Sequence, residues 1–155
     1  MGGVAVDVGA SVSAQPTLRL EVRGGIGLVS VGIEGRFGWP VTGNLAQGAL
    51  TTSRILGAVV PCLEWKWFSG CVDLSLGALR LEGQQLTGAR AASVFFASVG
   101  VRAQLLVPIG SVLAIGPQLE GFAPLTRASA LVGTERVWTV SPVGGGIGLN
   151  ARLLF

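Results

Sequence analysis

The carboxyl-terminal stretch Val143–Phe155 reads VGGGIGLNARLLF and alternates strictly between two kinds of residue. The first kind is apolar or glycine and ends in an aromatic ring; the second is small, polar or charged. The first set comprises Val143, Gly145, Ile147, Leu149, Ala151, Leu153 and Phe155. Because a β-strand points successive side chains to opposite faces, this alternation predicts a strand with one apolar face.

A similar alternation recurs along the chain between turn-forming Gly, Pro and Asn residues. It predicts eight strands, at about Gly3–Ser13, Thr17–Arg23, Gly27–Trp39, Leu50–Cys62, Cys71–Glu82, Ser93–Val107, Val112–Ala123 and from Trp138 to the end. Around Arg54 the fourth strand shows no clear face. In the fifth, Arg80 and Glu82 take the apolar positions, so either a bulge reverses the faces or the strand has left its apolar surroundings. Pro117 weakens the seventh strand, because it cannot donate a ladder hydrogen bond.

The composition suits a membrane better than water. Half of the 155 residues are hydrophobic and 12% are charged, whereas soluble domains carry about 25% charged residues. A spanning helix is excluded even in the uncharged run Ala103–Leu119, which Pro108 and Pro117 interrupt. A closed barrel is the other way to satisfy backbone groups in lipid. We therefore predict one all-β domain, residues 1–155, folded as an eight-stranded antiparallel up-and-down transmembrane β-barrel. Its last strand should pair with the first near Val4 to Ser11, because an open edge in lipid would leave backbone groups unpaired.

The polar face of the predicted strands collects acids and arginines in nearly equal numbers. Its charged members are Asp7, Arg19, Glu21, Arg23, Glu34, Arg36, Asp73, Arg102, Glu120 and Arg152, and Gln104, Gln118 and Asn150 join them. Inward side chains just fill an eight-stranded barrel, and buried charges must pair. We expect a salt-bridged interior in which Arg102 and Arg152 pair with Glu34, Glu120 or Asp73. A narrow pore is the alternative.

Catalytic, metal and nucleic-acid functions find little support in the residues. The chain has no His, which excludes a Ser-His-Asp triad and removes the usual acid–base group. The run Gly144–Gly148 resembles a phosphate loop only superficially, since neither Lys nor a helix follows it. The net charge is +3, but the arginines form no cluster. We predict a non-enzymatic protein without cofactor, metal or nucleic-acid partner.

The closing strand with its terminal Phe155 resembles that of small eight-stranded bacterial outer-membrane β-barrels. In those proteins this strand also carries the signal that the barrel-insertion machinery reads. The resemblance implies an outer-membrane location, contact with the lipid bilayer and with that machinery, and an insertion signal at Leu149, Ala151, Leu153 and Phe155. It also implies an anchoring role, a surface-contact role or membership of an envelope complex. Since no leader pattern precedes the first strand, we expect a mature chain.

In such a barrel the termini are periplasmic and the odd-numbered connections face outside. Cys62 and Cys71 then lie in the periplasmic connection between the fourth and fifth strands. Two cysteines in an oxidising compartment predict a disulfide, which would contribute roughly 2–3 kcal/mol for so short a loop. Two thiolates alone do not make a zinc site, and the spacing is not that of a C-x-x-C redox pair.

Aromatic residues offer a thin girdle for the membrane interfaces. The candidates are Phe37, Trp39, Trp65, Trp67, Phe68 and Trp138, although they could instead be ordinary core residues. The competing fold is a soluble lipocalin-like or avidin-like barrel that binds an apolar ligand. Such a barrel would bury Leu and Val inside and show its charges outside, which is the reverse of a membrane barrel.

Overall fold

A computed structural model of the chain describes residues 2–8, 13–45, 48–84, 92–126, 129–132 and 135–153. No helix among them is long and apolar enough to cross a membrane. They form the strands β1 (Gly2–Val8), β2 (Gln15–Ile26), β3 (Val29–Leu45), β4 (Gly48–Trp65), β5 (Phe68–Gln84), β6 (Ala92–Leu105), β7 (Val107–Ile109), β8 (Leu113–Pro124), β9 (Ser129–Val132), β10 (Glu135–Thr139) and β11 (Gly144–Leu153).

Eight of the strands in the described residues close into one antiparallel barrel. Around its wall the order is β1, β2, β3, β4, β5, β6, β8 and β11, and β11 pairs with β1 to complete the ring. Gly2–Val8 lies opposite residues 145–151, so the predicted contact between the last and first strands is present as far as Val8. The predicted extension to Ser11 lies outside the described residues. The all-β, eight-stranded fold class is confirmed.

The two ends of the barrel differ in the length of their connections. One end, called the turn end, holds the start of β1, the end of β11 and the turns after β2, β4 and β7. A residue with positive φ lies in each of these turns: Gly27 at 65°, Lys66 at 52° and Gly110 at 72°. At the other end, called the loop end, the connections after β1, β5 and β8 are longer, whereas only two residues separate β3 from β4. Short turns beside the termini and longer loops opposite them are the pattern of outer-membrane barrels.

The fourth and fifth strands are longer than predicted. Instead of ending at Cys62 and restarting at Cys71, they continue in register to Trp65 and Phe68, joined by a two-residue turn. The predicted connection between the cysteines is therefore mostly paired strand. The connection after β4 is therefore short, like the other connections at the turn end.

Two prolines sit where the hydrogen-bond ladder is already interrupted. In β3 the register with β4 shifts between Gly38 and Val41, and Pro40 lies in that irregularity. In β8, Pro117 and Gly116 lie opposite Leu105 and Leu106, the two positions where pairing passes from β6 to β7. At such a break the ladder does not need a backbone N–H donor, so Pro117 is tolerated inside a closed barrel.

The eighth strand starts later than predicted. Trp138 belongs to the separate β9–β10 hairpin, and the closing strand begins at Gly144. Among the described residues the strands of this hairpin pair only with each other, so the hairpin is not one of the strands of the barrel wall. The alternation that predicts the closing strand therefore holds from Gly144 onward.

The chemical character of the wall reverses along the barrel without any change of register. In β5, Leu74 and Leu76 point outward and Asp73 inward, whereas farther toward the loop end Arg80 points outward and Leu79 inward. The pairing of β5 with β6 is continuous over this stretch, which excludes the predicted bulge. The other explanation applies: beyond Ala78, β5 has left its apolar surroundings.

Candidate functional site

The most distinctive site is a layer of charged side chains inside the barrel. Alternation on the strands sends these residues into the lumen, and each is at most 7% exposed. The lumen layer, as we call it, comprises Arg19, Glu21, Glu34, Arg36, Asp73, Arg102 and Glu120. All seven belong to the predicted polar face. Asp7 lies in β1 opposite Gly146, and its side chain is outside the described part of the chain.

Arg102 is the best-connected cation of the lumen layer. Its Nη1 and Nη2 donate to the two carboxylate oxygens of Glu34 at 2.7 and 2.9 Å, and its Nε donates to Glu120 at 3.0 Å. This is the planar two-point geometry in which a guanidinium binds a carboxylate most strongly. Its Nη1 also lies 3.5 Å from Glu21. One arginine therefore holds three carboxylates.

Arg36 and Arg19 complete the layer. Arg36 donates from Nη1 to Glu120 at 2.7 Å, pairs through Nη2 with Asp73 at 3.0 Å, and forms a short hydrogen bond with Glu34. Arg19 forms a short ion pair with Glu120. Glu120 is thus shared by three arginines. Because truncating one member of such a buried network would leave an uncompensated charge, the members stabilise one another.

Several of these ion pairs run across the lumen, in addition to those along the wall that join Arg102 to Glu120 and Arg36 to Glu34. Arg36 on β3 and Glu120 on β8 are four strands apart around an eight-stranded ring, which places them on opposite sides. The Arg102–Glu34 pair joins strands three places apart. A bond that joins opposite walls must pass through the middle of the barrel. The lumen layer therefore fills the cross-section with side chains.

Inward glycines make room for the acids of this layer. A Cβ built on Gly32 would lie 2.2 Å from Oε1 of Glu21, and one built on Gly100 would lie 2.5 Å from Oδ2 of Asp73. Both distances are too short for real atoms. A side chain at either position would therefore have to displace a neighbouring carboxylate, and at Gly100 it would also press on the backbone oxygen of Gly121.

A second cluster closes the turn end and includes an acid that is absent from the predicted polar face. Glu64 of β4 accepts hydrogen bonds from Arg152 at 2.8 and 3.2 Å, from Arg23 at 3.1 Å and from Ser30 at 2.7 Å. Arg23 also pairs with Glu21. We call Glu64, Arg152, Arg23 and Ser30 the mouth cluster. Since β4 and β11 are also four strands apart, the Glu64–Arg152 pair spans the opening.

The predicted partner of Arg152 is wrong: it binds Glu64 and not Glu34, Glu120 or Asp73. The sequence pattern puts Glu64 in a connection, because it predicts that the fourth strand ends at Cys62. Two features of the sequence point to its true position. Glu64 shares the parity of Cys62, and it is the acid beside a turn at the same end of the barrel as the last residues of the chain.

Other inward positions hold uncharged polar side chains and one further arginine. Gln118 accepts from Asn150 at 2.7 Å and from Gln104 at 3.3 Å, and Gln104 accepts from Ser69 at 3.1 Å. Arg54, whose facing the sequence leaves open, is buried and donates to Thr17 at 3.1 Å. Within the described residues no group of three or more acids and cysteines could hold a metal ion.

The disulfide between Cys62 and Cys71 is present, with its Cα atoms 4.0 Å apart. Its predicted position in a connection is wrong, because the two residues are directly opposed partners in β4 and β5. Both side chains face the lumen and are buried together with Ala58 and Val60. The bond therefore lies inside the barrel, between the lumen layer and the mouth cluster.

Comparison with solved structures relates this architecture to a known fold. The crystal structure of Neisserial surface protein A matches with a TM-score of 0.57 over 99% of this chain and 93% of that one, at 9% sequence identity. The fold is that of a small outer-membrane β-barrel. No protein-family model and no curated protein matches the sequence. At 9% identity, the likeness concerns the fold alone.

The outer wall has the apolar surface of a membrane barrel. Leu149 and Leu153 of the predicted insertion signal are each 64% exposed, and Ala151 is exposed between them; Phe155 lies outside the described residues. Other outward aliphatic residues include Leu20, Val22, Ile33, Ile55, Val59, Val101, Leu119 and Ile147. Charges inside and aliphatic side chains outside are the reverse of a soluble ligand-binding barrel.

Aromatic residues mark both ends of this apolar wall. Trp65, Trp67 and Phe68 are exposed at the turn end, whereas Phe37 and Trp39 pair edge to face on the outer wall nearer the loop end. Phe95, which is not among the predicted girdle residues, is exposed and lies opposite Ala78 on the neighbouring strand. For Trp138 the alternative of a core residue applies, since it packs against a buried cluster.

That cluster, the loop-end core, lies inside the barrel beyond the lumen layer. It comprises Leu50, Leu56, Leu79, Leu81, Phe96, Phe122 and Val140, with Val94 and Trp138 packed against it. On the outer wall at the same end, Arg80 and Glu82 pair with each other at 2.6 Å. An apolar interior with a polar exterior is the arrangement of a barrel surrounded by water. The outer surface of the barrel therefore suits contact with water at the loop end and contact with lipid in the middle.

Proposed function

We propose that this chain is an integral outer-membrane protein whose β-barrel is closed to flow and serves as a non-enzymatic anchor. The loop end, projecting from the membrane, would present a surface for other envelope proteins or for external contacts. Its partners would be the lipid bilayer and, during assembly, the barrel-insertion machinery. The observation that carries the proposal is the lumen layer, whose ion pairs join opposite walls of a barrel with an aliphatic exterior.

The height of the apolar wall supports the membrane assignment. Along β4 the outward residues from Trp65 at the turn to Ile55 are ten positions apart. At about 3.3 Å per residue and a strand tilt of about 40°, this distance corresponds to about 25 Å along the barrel axis. The apolar band of outer-membrane barrels is also about 25 Å tall. Arg80 on the neighbouring strand falls beyond this band.

The ion pairs support a closed lumen. Arg102, Glu34 and Glu120 are each buried and bonded to partners on other strands, which supports a cross-section occupied by side chains at this level. The mouth cluster spans the turn end, and the loop-end core fills the other. Three successive barriers therefore oppose the passage of ions.

The same contacts argue against catalysis. A general acid donates a proton to the reacting group and a general base accepts one, so either must be within reach of substrate or water. The four described acids in the lumen layer are buried, and each lies within ion-pair distance of an arginine. Their carboxylates are thus committed to binding guanidinium groups, which suits a structural role.

Planar-bilayer recording tests the closed lumen directly. We expect the wild-type protein to give no steady conductance, whereas Arg102→Ala should permit ion leakage by removing the cation that holds three carboxylates. Val101→Ala, which changes the adjacent outward residue, is the matched control and should remain silent. A steady wild-type conductance would instead support the narrow-pore alternative. Insertion itself is checked by heat-modifiable migration on a gel, which reports the folded barrel.

A further inference from the structure

We propose that the Cys62–Cys71 bond forms before the barrel closes, by the action of a disulfide-bearing thiol oxidant on the still open chain. The side chains of Cys62 and Cys71 are 3% and 5% exposed and face the lumen. An oxidant must bring its own disulfide into line with a cysteine sulfur. In the closed barrel neither cysteine exposes more than 5% of its surface to such an approach.

Barriers lie on both sides of the disulfide. Arg102 of the lumen layer is the direct strand neighbour of Cys71, and Ser30 of the mouth cluster is the direct neighbour of Cys62. Glu64, two positions beyond Cys62 on the same face of β4, binds Arg152 across the opening. An oxidant in the aqueous phase therefore finds the lumen blocked at the mouth and packed above the bond.

The open chain has what the reaction needs. Cys62 and Cys71 are directly opposed in the β4–β5 hairpin, whose two-residue turn at Lys66 and Trp67 is local in sequence. Formation of this hairpin alone brings the two sulfurs together, without any other strand of the barrel. The pairing is thus available to the chain before β11 meets β1.

The proposed reaction is a thiol–disulfide exchange in two steps. The thiolate of one cysteine attacks a sulfur of the oxidant's disulfide, which forms a mixed disulfide and releases the oxidant's other sulfur as a thiolate. The second cysteine thiolate then attacks the chain sulfur of that mixed disulfide and displaces the oxidant. Two electrons pass to the oxidant, which leaves as a dithiol carrying the two protons. The chain gains one S–S bond.

The test compares oxidation of the open and the closed chain with oxidised glutathione as the probe. Reduced protein is either kept unfolded in urea or folded into detergent under reducing conditions, and the reductant is then removed. Thiol alkylation and gel shift monitor the loss of free thiols with time. We expect oxidation of the folded barrel to be slower by about a hundredfold or more, since access controls the exchange rate.

A surface thiol provides the control. In a chain carrying Cys62→Ala and Cys71→Ala, the variant Ser111→Cys places one thiol in the exposed turn before β8, where glutathione should react at similar rates in the folded and unfolded forms. Oxidation of Cys62 and Cys71 in the folded barrel at close to the unfolded rate would overturn the proposal. A reduced chain that cannot reach the heat-modifiable form, while oxidised chain does, would support it.

Discussion

Arg36 on β3 donates a hydrogen bond at 2.7 Å to Glu120 on β8, although the two strands face each other from opposite walls of the barrel. The bond crosses the lumen close to the Arg102–Glu34 pair, because Arg102 also donates a hydrogen bond to Glu120. A barrel tied across its middle resists both expansion and flow. Removal of one of these ties should therefore weaken the whole barrel.

Arg102→Ala should destabilise the folded barrel by about 3–5 kcal/mol, because Glu34 and Glu120 would remain buried with one cation fewer. Denaturant unfolding in detergent measures this change in the free energy of unfolding. The double variant Arg102→Met with Glu34→Gln should recover part of the loss by removing a charge of each sign. Stability of Arg102→Ala equal to that of the outward control Val101→Ala would contradict the assigned role.

Leu149→Arg should impair insertion far more than Leu153→Arg. Both leucines are outward residues of β11 and are equally exposed, but Leu153 lies four residues nearer the turn end. A cationic side chain costs about 2–4 kcal/mol at the middle of the membrane and about 0–1 kcal/mol near the interface. Heat-modifiable migration quantifies the folded fraction of each variant. Equal folding of the two would show that the wall does not span lipid as proposed.

Gly100→Ala should destabilise the barrel by about 1–3 kcal/mol, the usual range for overpacking a tight interior. Its Cβ would lie 2.5 Å from Asp73 Oδ2 and 3.0 Å from the backbone oxygen of Gly121. Gly35→Ala is the matched control, since a Cβ on that outward glycine meets nothing within 4 Å. Denaturant midpoints compare the two. A neutral Gly100→Ala would mean that Asp73 can move away without loss.

Glu64→Ala should lower stability by about 1 kcal/mol or less, because the mouth cluster is partly exposed and water screens its charges. The loss should also shrink at high salt, whereas that of Arg102→Ala should persist there. Unfolding measured at low and high salt separates the two. A salt-independent loss in Glu64→Ala as large as that of Arg102→Ala would place Glu64 in a fully buried network.

Much of the fold can be predicted from the alternation of residues alone. Leu149 and Asn150 differ by one position, and the structure puts the first on the outer wall and the second inside the lumen. The same rule places Arg102 and Glu34 on one face, because side-chain direction in a strand is a local property with a period of two. Closure of the last strand on the first is expected from the cost of an open edge in lipid.

The alternation of apolar and polar residues gives an ambiguous or wrong prediction where a strand passes from one environment to another. Arg80 and Leu79 keep their facing through an uninterrupted register, yet their polarity is opposite to that of Leu74 and Asp73. The sequence shows this reversal but cannot choose between a bulge and an exit from lipid. Likewise, the sequence pattern makes Glu64 a loop residue, since its pairing with Ser69 is visible only in the hairpin.

The sequence by itself determined which residues share a face of each strand, because side-chain direction depends only on neighbours along that strand. Only the tertiary structure decided that Arg36 meets Glu120, that Arg152 meets Glu64 and that the disulfide faces the lumen. Those contacts depend on how far each strand is shifted against the next. Summed around eight strands, these shifts decide which residues share one level of the lumen.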